Sequence, residues 1–282
     1  MIVLTIAGQT LLEALRRRVV WALVVLTVVL LALNGWGFAR LPGLHTQEGA
    51  LTTGEARLVA AQLLNLVMFA ISLIVALGTA FLAGPTLSGE VESGVMLAVC
   101  ARPVRRSSVL LGKWLGLVAF ALGYVLATGT AEFVVVDRAV GYSPPQPVLA
   151  LVFLSAQAVV LLTLALLLST ALSPMASGVL AVGLFGATWV AGVVGGIGTT
   201  IGNDGVERVG TVARVLLPTD GLWHGAMHAL QLPTALAAAG RAAGADPFLS
   251  SSGLDAGYLL WAVLWVALVL ATCLRLFTRR DL

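Results

Sequence analysis

A chain of 282 residues that is 59% hydrophobic and only 10% charged lies outside the range of soluble proteins, in which about a quarter of residues carry charge. Its mean hydropathy of +1.02 excludes a soluble enzyme or binding domain and points to a protein that lives in lipid. The net charge of +3 is no argument for nucleic acid, because most basic residues flank apolar runs, as membrane orientation requires. Cys100 and Cys273 are the only cysteines and fall near the same expected membrane face, so no disulfide framework is indicated.

Residues 1–18 combine Ile2, Ile6, Leu11, Leu12 and Leu15 with Gln9, Glu13 and the triplet Arg16, Arg17 and Arg18. Such a segment suits the headgroup region as an amphipathic helix, or it simply extends the first span into water. Six segments follow that are long enough to span, since a helix needs roughly 20 apolar residues: 19–39, 58–83, 114–136, 148–172, 176–201 and 256–277. A β-barrel would show short alternating segments instead. The first span is longer than a signal-peptide core and lacks an A-x-A site, so it reads as an uncleaved anchor.

Six spans put both termini on one face. Ten basic residues lie there, namely Arg16, Arg17, Arg18, Arg102, Arg105, Arg106, Lys113, Arg275, Arg279 and Arg280, against six opposite. That asymmetry predicts cytoplasmic termini in an inner or plasma membrane.

The densest polar stretch, residues 85–113, joins the second and third spans. Pro85 is expected to interrupt the second span, with Ser88 as the N-cap of a short helix over 89–100 that carries Glu90 and Glu92 in its first turns. Pro103 suits the first position of another helix, one that runs through Lys113 into the third span. The segment is thus predicted to be a helical hairpin whose acidic and basic ends offer a docking surface. The competing reading is that its arginines only orient the chain and bind anionic headgroups.

The order Gly89-Glu90-Val91-Glu92-Ser93-Gly94, then Arg102-Pro103-Val104-Arg105-Arg106, then Gly112-Lys113, strongly resembles the cytoplasmic signature of type-2 ABC transporter permeases. The resemblance extends to the six-span layout, the N-terminal segment and the ending Phe277-Thr278-Arg279-Arg280-Asp281-Leu282, and covers essentially the whole chain. It is nearest to the small permeases of nitrous-oxide-reductase maturation, sodium export and multidrug export. Val95 departs from the pattern, which often has Thr there. The resemblance implies an all-α integral membrane fold of one permease domain over 1–282, with an interfacial segment 1–18, a coupling hairpin 85–113 and an extracytoplasmic loop 202–255. It implies that Glu90, Glu92 and Gly94 belong to a coupling helix, flanked by Arg102, Pro103, Arg105 and Arg106, that docks on an ATP-binding cassette subunit. It also implies that two permease chains form the path and that ATP and Mg²⁺ are bound by the partner. The chain offers no phosphate loop of its own: Ser107 stands where the first glycine would be, and Gly112-Lys113 is followed by Trp114.

Other residues invite site readings. In the fifth span Gly192 and Gly196 form a G-x-x-x-G pair, suited either to a dimer seam or gate or to packing inside one subunit. Gln62 and Asn65, a turn apart in the second span, either line a cavity or bond a neighbouring helix. Glu132, five residues before Asp137, is expected to be a solvated carboxylate at the outer boundary. Asp220, His224 and His228, spaced i, i+4, i+8, are weak metal candidates. The preferred reading is a helix that begins near Pro218 to Asp220, capped by Thr219 or Asp220, and lies on the outer interface through Trp223, Met227 and Leu230.

These features predict a permease subunit without catalytic activity of its own, with export the favoured direction because no extracytoplasmic capture domain is evident. The rivals are a non-transporting membrane scaffold or assembly factor and an intramembrane enzyme. The enzyme is disfavoured because no paired ionisable residues lie deep in the spans.

Overall fold

The structure is a computed structural model and describes residues 2–41, 45–46, 49–50, 53–89, 92, 94, 105–232, 248–250 and 253–279. In hydrocarbon every backbone N–H and C=O must be satisfied within the protein, so apolar runs of this length become helices. They do so as α1 Ile2–Arg16, α2 Arg18–Arg40, α3 Thr53–Gly84, α4 Arg106–Val140, α5 Pro147–Leu168, α6 Pro174–Ile201, α7 Asp204–Leu216, α8 Thr219–Leu230 and α9 Ala256–Arg279. Between α2 and α3 a two-residue antiparallel pair joins His45–Thr46 to Gly49–Ala50. Helices α2, α3, α4, α5, α6 and α9 are long and apolar enough to cross a membrane, as expected for an all-α membrane fold.

The centre is α5. Its apolar residues run around all sides with no polar stripe, and it touches α3, α4, α6, α8 and α9. It ends at Leu168, short of the expected residue 172, because Ser169 and Thr170 turn their hydroxyls onto the carbonyls of Leu166 and Leu167, each at 2.7 Å. Around it α2 and α9 are peripheral, and most of their surface faces outward.

Two expectations at the terminal face are corrected. Pro85 does not break the second span: the helix continues as a π-helical turn, Pro85–Gly89, because the missing proline N–H loosens the ladder there without ending it. Ser88 does not cap a new helix but is buried in that turn, donating to the carbonyl of Gly84 at 2.8 Å. The expected helix over 89–100 and the Pro103 start lie outside the described residues, and the described part of α4 begins at Arg106 with Arg105 as its N-cap. α1 is a separate helix, not a straight extension of the first span. The chain bends at Arg17, and α1 docks along the base of α4.

At the far face α6 ends on Gly202, whose φ of 69° makes the left-handed turn that glycine adopts without strain. Asn203 then caps α7, its side chain accepting from the backbone N–H groups of Gly205 and Val206 at 3.0 and 3.2 Å. α7 folds back along α6. A Cβ at Gly195 would stand 2.7 Å from the Cα of Gly210, and one at Gly198 would meet the backbone of Glu207, so these glycines let the two helices touch. α7 ends beside α9 with its last turn largely exposed, and its last carbonyls lack helical partners. Three donors from one face of α9 supply them: Tyr258 to Arg214 at 3.1 Å, Trp261 to Val215 at 3.1 Å and Trp265 to Leu216 at 2.8 Å.

α8 does not lie on the outer interface. Trp223, Met227 and Leu230 are fully buried against α5 and its neighbours. Close approach is possible because Gly221 faces the Tyr258 ring and Gly225 faces Leu254 and Phe153. An amphipathic pattern shows only that one face needs apolar company, and here the bundle provides it instead of lipid.

Candidate coupling site

The segment expected to form the coupling hairpin is bounded by Gly89 and Arg105, and the described residues around those two points form the candidate site. Glu92 is exposed, Gly94 takes a left-handed φ of 75°, Arg105 is exposed and Arg106 is half-buried. Glu90, Arg102 and Pro103 lie outside the described residues.

The base is closely knit. A Cβ on Gly112 would stand 2.7 Å from Ile6 and one on Gly116 would stand 2.5 Å from the carbonyl of Ala7, so both glycines exist to seat α1 on α4. Lys113 is buried, and its Nζ donates to the carbonyl of Thr86 in the π-helical turn at 2.9 Å. A cation at a helix C-terminus meets both an unsatisfied carbonyl and the negative end of the helix dipole. Gly84 lies against the carbonyl of Pro174 and the hydroxyl of Ser177, which ties the end of α3 to the start of α6. Leu87, Val109, Leu110, Leu166, Cys273 and Phe277 fill the space between these elements as an apolar knot. The Trp114 indole donates to Thr163 at 2.9 Å and links the knot to α5. The π-helical turn that follows α3 and the first turns of α4 are therefore rooted in one collar that includes α1, α3, α4, α5, α6 and α9.

The sequence singled out Gly112 and Lys113 only within a motif, and their roles depend on partners more than 25 residues away in the chain for Lys113 and more than 100 for Gly112. Their surroundings also show why they are not a phosphate cradle: Ile6 covers Gly112, and the ammonium is engaged with Thr86.

The other residues sort differently. Gln62 faces outward and Asn65 is buried, so the pair shares no surface; the Asn65 amide donates to the carbonyl of Phe248 at 3.3 Å, in a far-side loop. Gly192 faces its own chain, against the Asp220 carboxylate, and Gly196 is half-buried. Asp220 is buried and accepts from Arg214 Nε at 2.7 Å, with His224 Nε2 at 3.7 Å. Burial lowers the His224 imidazole below its ordinary value, Asp220 opposes that shift and Arg214 adds to it. His228 turns away to the carbonyl of Ser250 at 3.1 Å. Residues at i and i+8 on a helix stand about 12 Å apart along the axis, too far for Asp220 and His228 to share one ion. Glu132 is not solvated: it has no exposed surface, and neither carboxylate oxygen has a hydrogen-bond partner.

Between α3, α5 and α6 lies a cavity of about 10 Å³, in which Ser72 donates to Gln157 at 2.9 Å. It has room for one water.

Six membrane-length helices, with the buried α5 at their centre, define a multi-pass membrane protein. Residues 4–282 match the ABC-2 family transporter proteins, and the chain belongs to that family of transporter permeases. No curated protein gives a significant match to the chain.

Proposed function

We propose that this chain is the permease half of an ATP-driven exporter and is coupled through residues 85–113 to a separate ATP-binding cassette subunit that binds ATP and Mg²⁺. The collar carries the reading. A partner that pushes on Glu92 or Arg105 pushes on a packed unit, because Lys113 ties α4 to the end of α3 and the glycines of α4 seat α1. Force applied there moves whole helices instead of bending a loop.

Two copies of the permease enclose the path in this proposal. The small size of the Ser72 and Gln157 cavity, which takes a single water, supports it. The termini and hairpin face the cytoplasm of an inner or plasma membrane, in line with the ten-to-six basic asymmetry. Export is favoured because the described parts of the far-side segment fold back into the bundle as α7 and α8 and form no capture domain.

Reversing the docking charges tests the proposal. Glu92→Arg combined with Arg105→Glu should leave membrane insertion unchanged, reduce co-purification of the cassette subunit by on the order of tenfold, and abolish transport, because about 1.4 kcal/mol of lost contact is a tenfold loss in affinity. Normal assembly and transport in the double variant would show that the hairpin is only a topology signal and would favour a scaffold.

A further inference from the structure

The α2–α4 seam is polar at two levels. These helices run side by side in the same direction, with Gly35 of α2 against Val135 of α4. At the inner level the Thr27 and Tyr124 hydroxyls meet, and Tyr124 also reaches the carbonyl of Leu23 at 3.3 Å. At the outer level Asn34 approaches Glu132 without reaching hydrogen-bonding geometry, so the Asn34 amide nitrogen and both Glu132 oxygens are buried and unpartnered. Glu132 is eight residues before the end of α4, about 12 Å along the helix.

An anion in this position would need a counter-charge. No ion pair among the described residues includes Glu132. On α4 itself Asp137 takes a hydrogen bond from Ser143, and Arg138 follows one position later. On α2 Arg40 lies over Trp36, 5.4 Å from the ring centroid. On α3 Glu55 and Arg57 belong to the first turns, and Arg57 reaches Gly141. α5 carries no ionisable side chain. α1 places Glu13 and Arg16 at the opposite end, and on α9 Tyr258 is engaged with Arg214 while Cys273, Arg275 and Arg279 belong to the opposite end. Burying an unpaired carboxylate costs several kcal/mol, whereas a neutral carboxyl avoids most of that cost. A hard cation would require a shell of oxygen ligands, and Asn34 offers one.

We propose that Glu132 is a proton-binding site within the α2–α4 seam. While α2 is seated the carboxyl is protonated. When α2 lifts and water enters, the O–H bond breaks heterolytically, the electron pair stays on the carboxylate and the proton passes to that water. The charged carboxylate then opposes reseating, so seam opening and proton release are one event.

Dicyclohexylcarbodiimide, which adds to protonated carboxyls in apolar surroundings, tests the site on the full chain in membranes. At neutral pH mass spectrometry should find the N-acylurea on the buried Glu132 well above that on the exposed Asp137. Replacing sodium by choline should change nothing. Glu132→Gln, a neutral isostere of the protonated form, should lose the adduct and melt no lower than the parent. Failure of Glu132 to react while acid-unfolded chain does react would overturn the proposal. Protection by sodium would overturn it in favour of a cation site, and a clear drop in the melting temperature of Glu132→Gln would show that the charged form is the native one.

Discussion

Asp220 stands between two bases, and the weaker one sets a pH dependence. His224 is held below its ordinary value of 6.5, mainly by burial, with Asp220 opposing and Arg214 adding to the shift. The folded protein therefore binds fewer protons at this residue than the unfolded chain does. Stability contributed by neutral His224 is complete above about pH 6.5 and is lost as the pH falls from there toward the folded value. Melting curves of the purified protein should shift down on acidification through that window, and His224→Gln should flatten the slope; equal slopes would show that another group titrates. The spacing of Asp220, His224 and His228 was plain in the sequence, but the decisive partner was not. Arg214 belongs to another helix, and the turn between α7 and α8 brings its guanidinium to Asp220. The sequence misplaces Glu132 for a related reason. With the third span ending at residue 136 it stands at the water boundary, whereas α4 continues to Val140 and α2 covers it.

Periodicity and length made the six spans legible, because each is a long apolar run in which backbone satisfaction leaves only helix. The packing of α7 and α8 was not legible as such. α7 and α8 have the amphipathic composition of surface helices, and only the small residues Gly195, Gly198, Gly221 and Gly225 hint that backbones approach closely there. Nor does the sequence alone show that Tyr258, Trp261 and Trp265 are donors and not an aromatic belt at the membrane interface. Their polar role can be measured. Trp265→Phe keeps the ring and removes the N–H, leaving the Leu216 carbonyl without its partner, and should cost about 1 kcal/mol, read as a lowered melting temperature. Trp261→Phe should cost less, because Trp261 is only partly buried and its hydrogen bond lies at the surface, whereas Trp265 is buried. No difference between either variant and the parent would mean that the rings act by packing alone.

The whole chain alternates between two faces, and short turns mark each of them. Ser143, between α4 and α5, and Ser173, between α5 and α6, are both exposed and flank a single span. Cysteines placed at these two positions, in a chain lacking Cys100 and Cys273, should react with an impermeant maleimide from opposite sides of intact membranes, with Ser173→Cys on the cytoplasmic side. Labelling from the same side would remove one span, and a reversed pattern would place the hairpin outside. The resemblance over residues 89–113 implies a coupling site, and what the sequence did not show is the collar at the end of α3 and the start of α4, built from residues far apart in the chain such as Ile6, Thr86, Lys113 and Phe277.

The donors on α9 also set the order in which the far end can be made. Synthesis delivers α7 and α8 before α9, and until α9 is in place the carbonyls of Arg214, Val215 and Leu216 have no side-chain donors. The far end can therefore reach its final packing only after the last span is in place. Biogenesis is then timed by its final helix: earlier spans can enter the bilayer one by one, but the far end closes only when α9 brings its three ring donors.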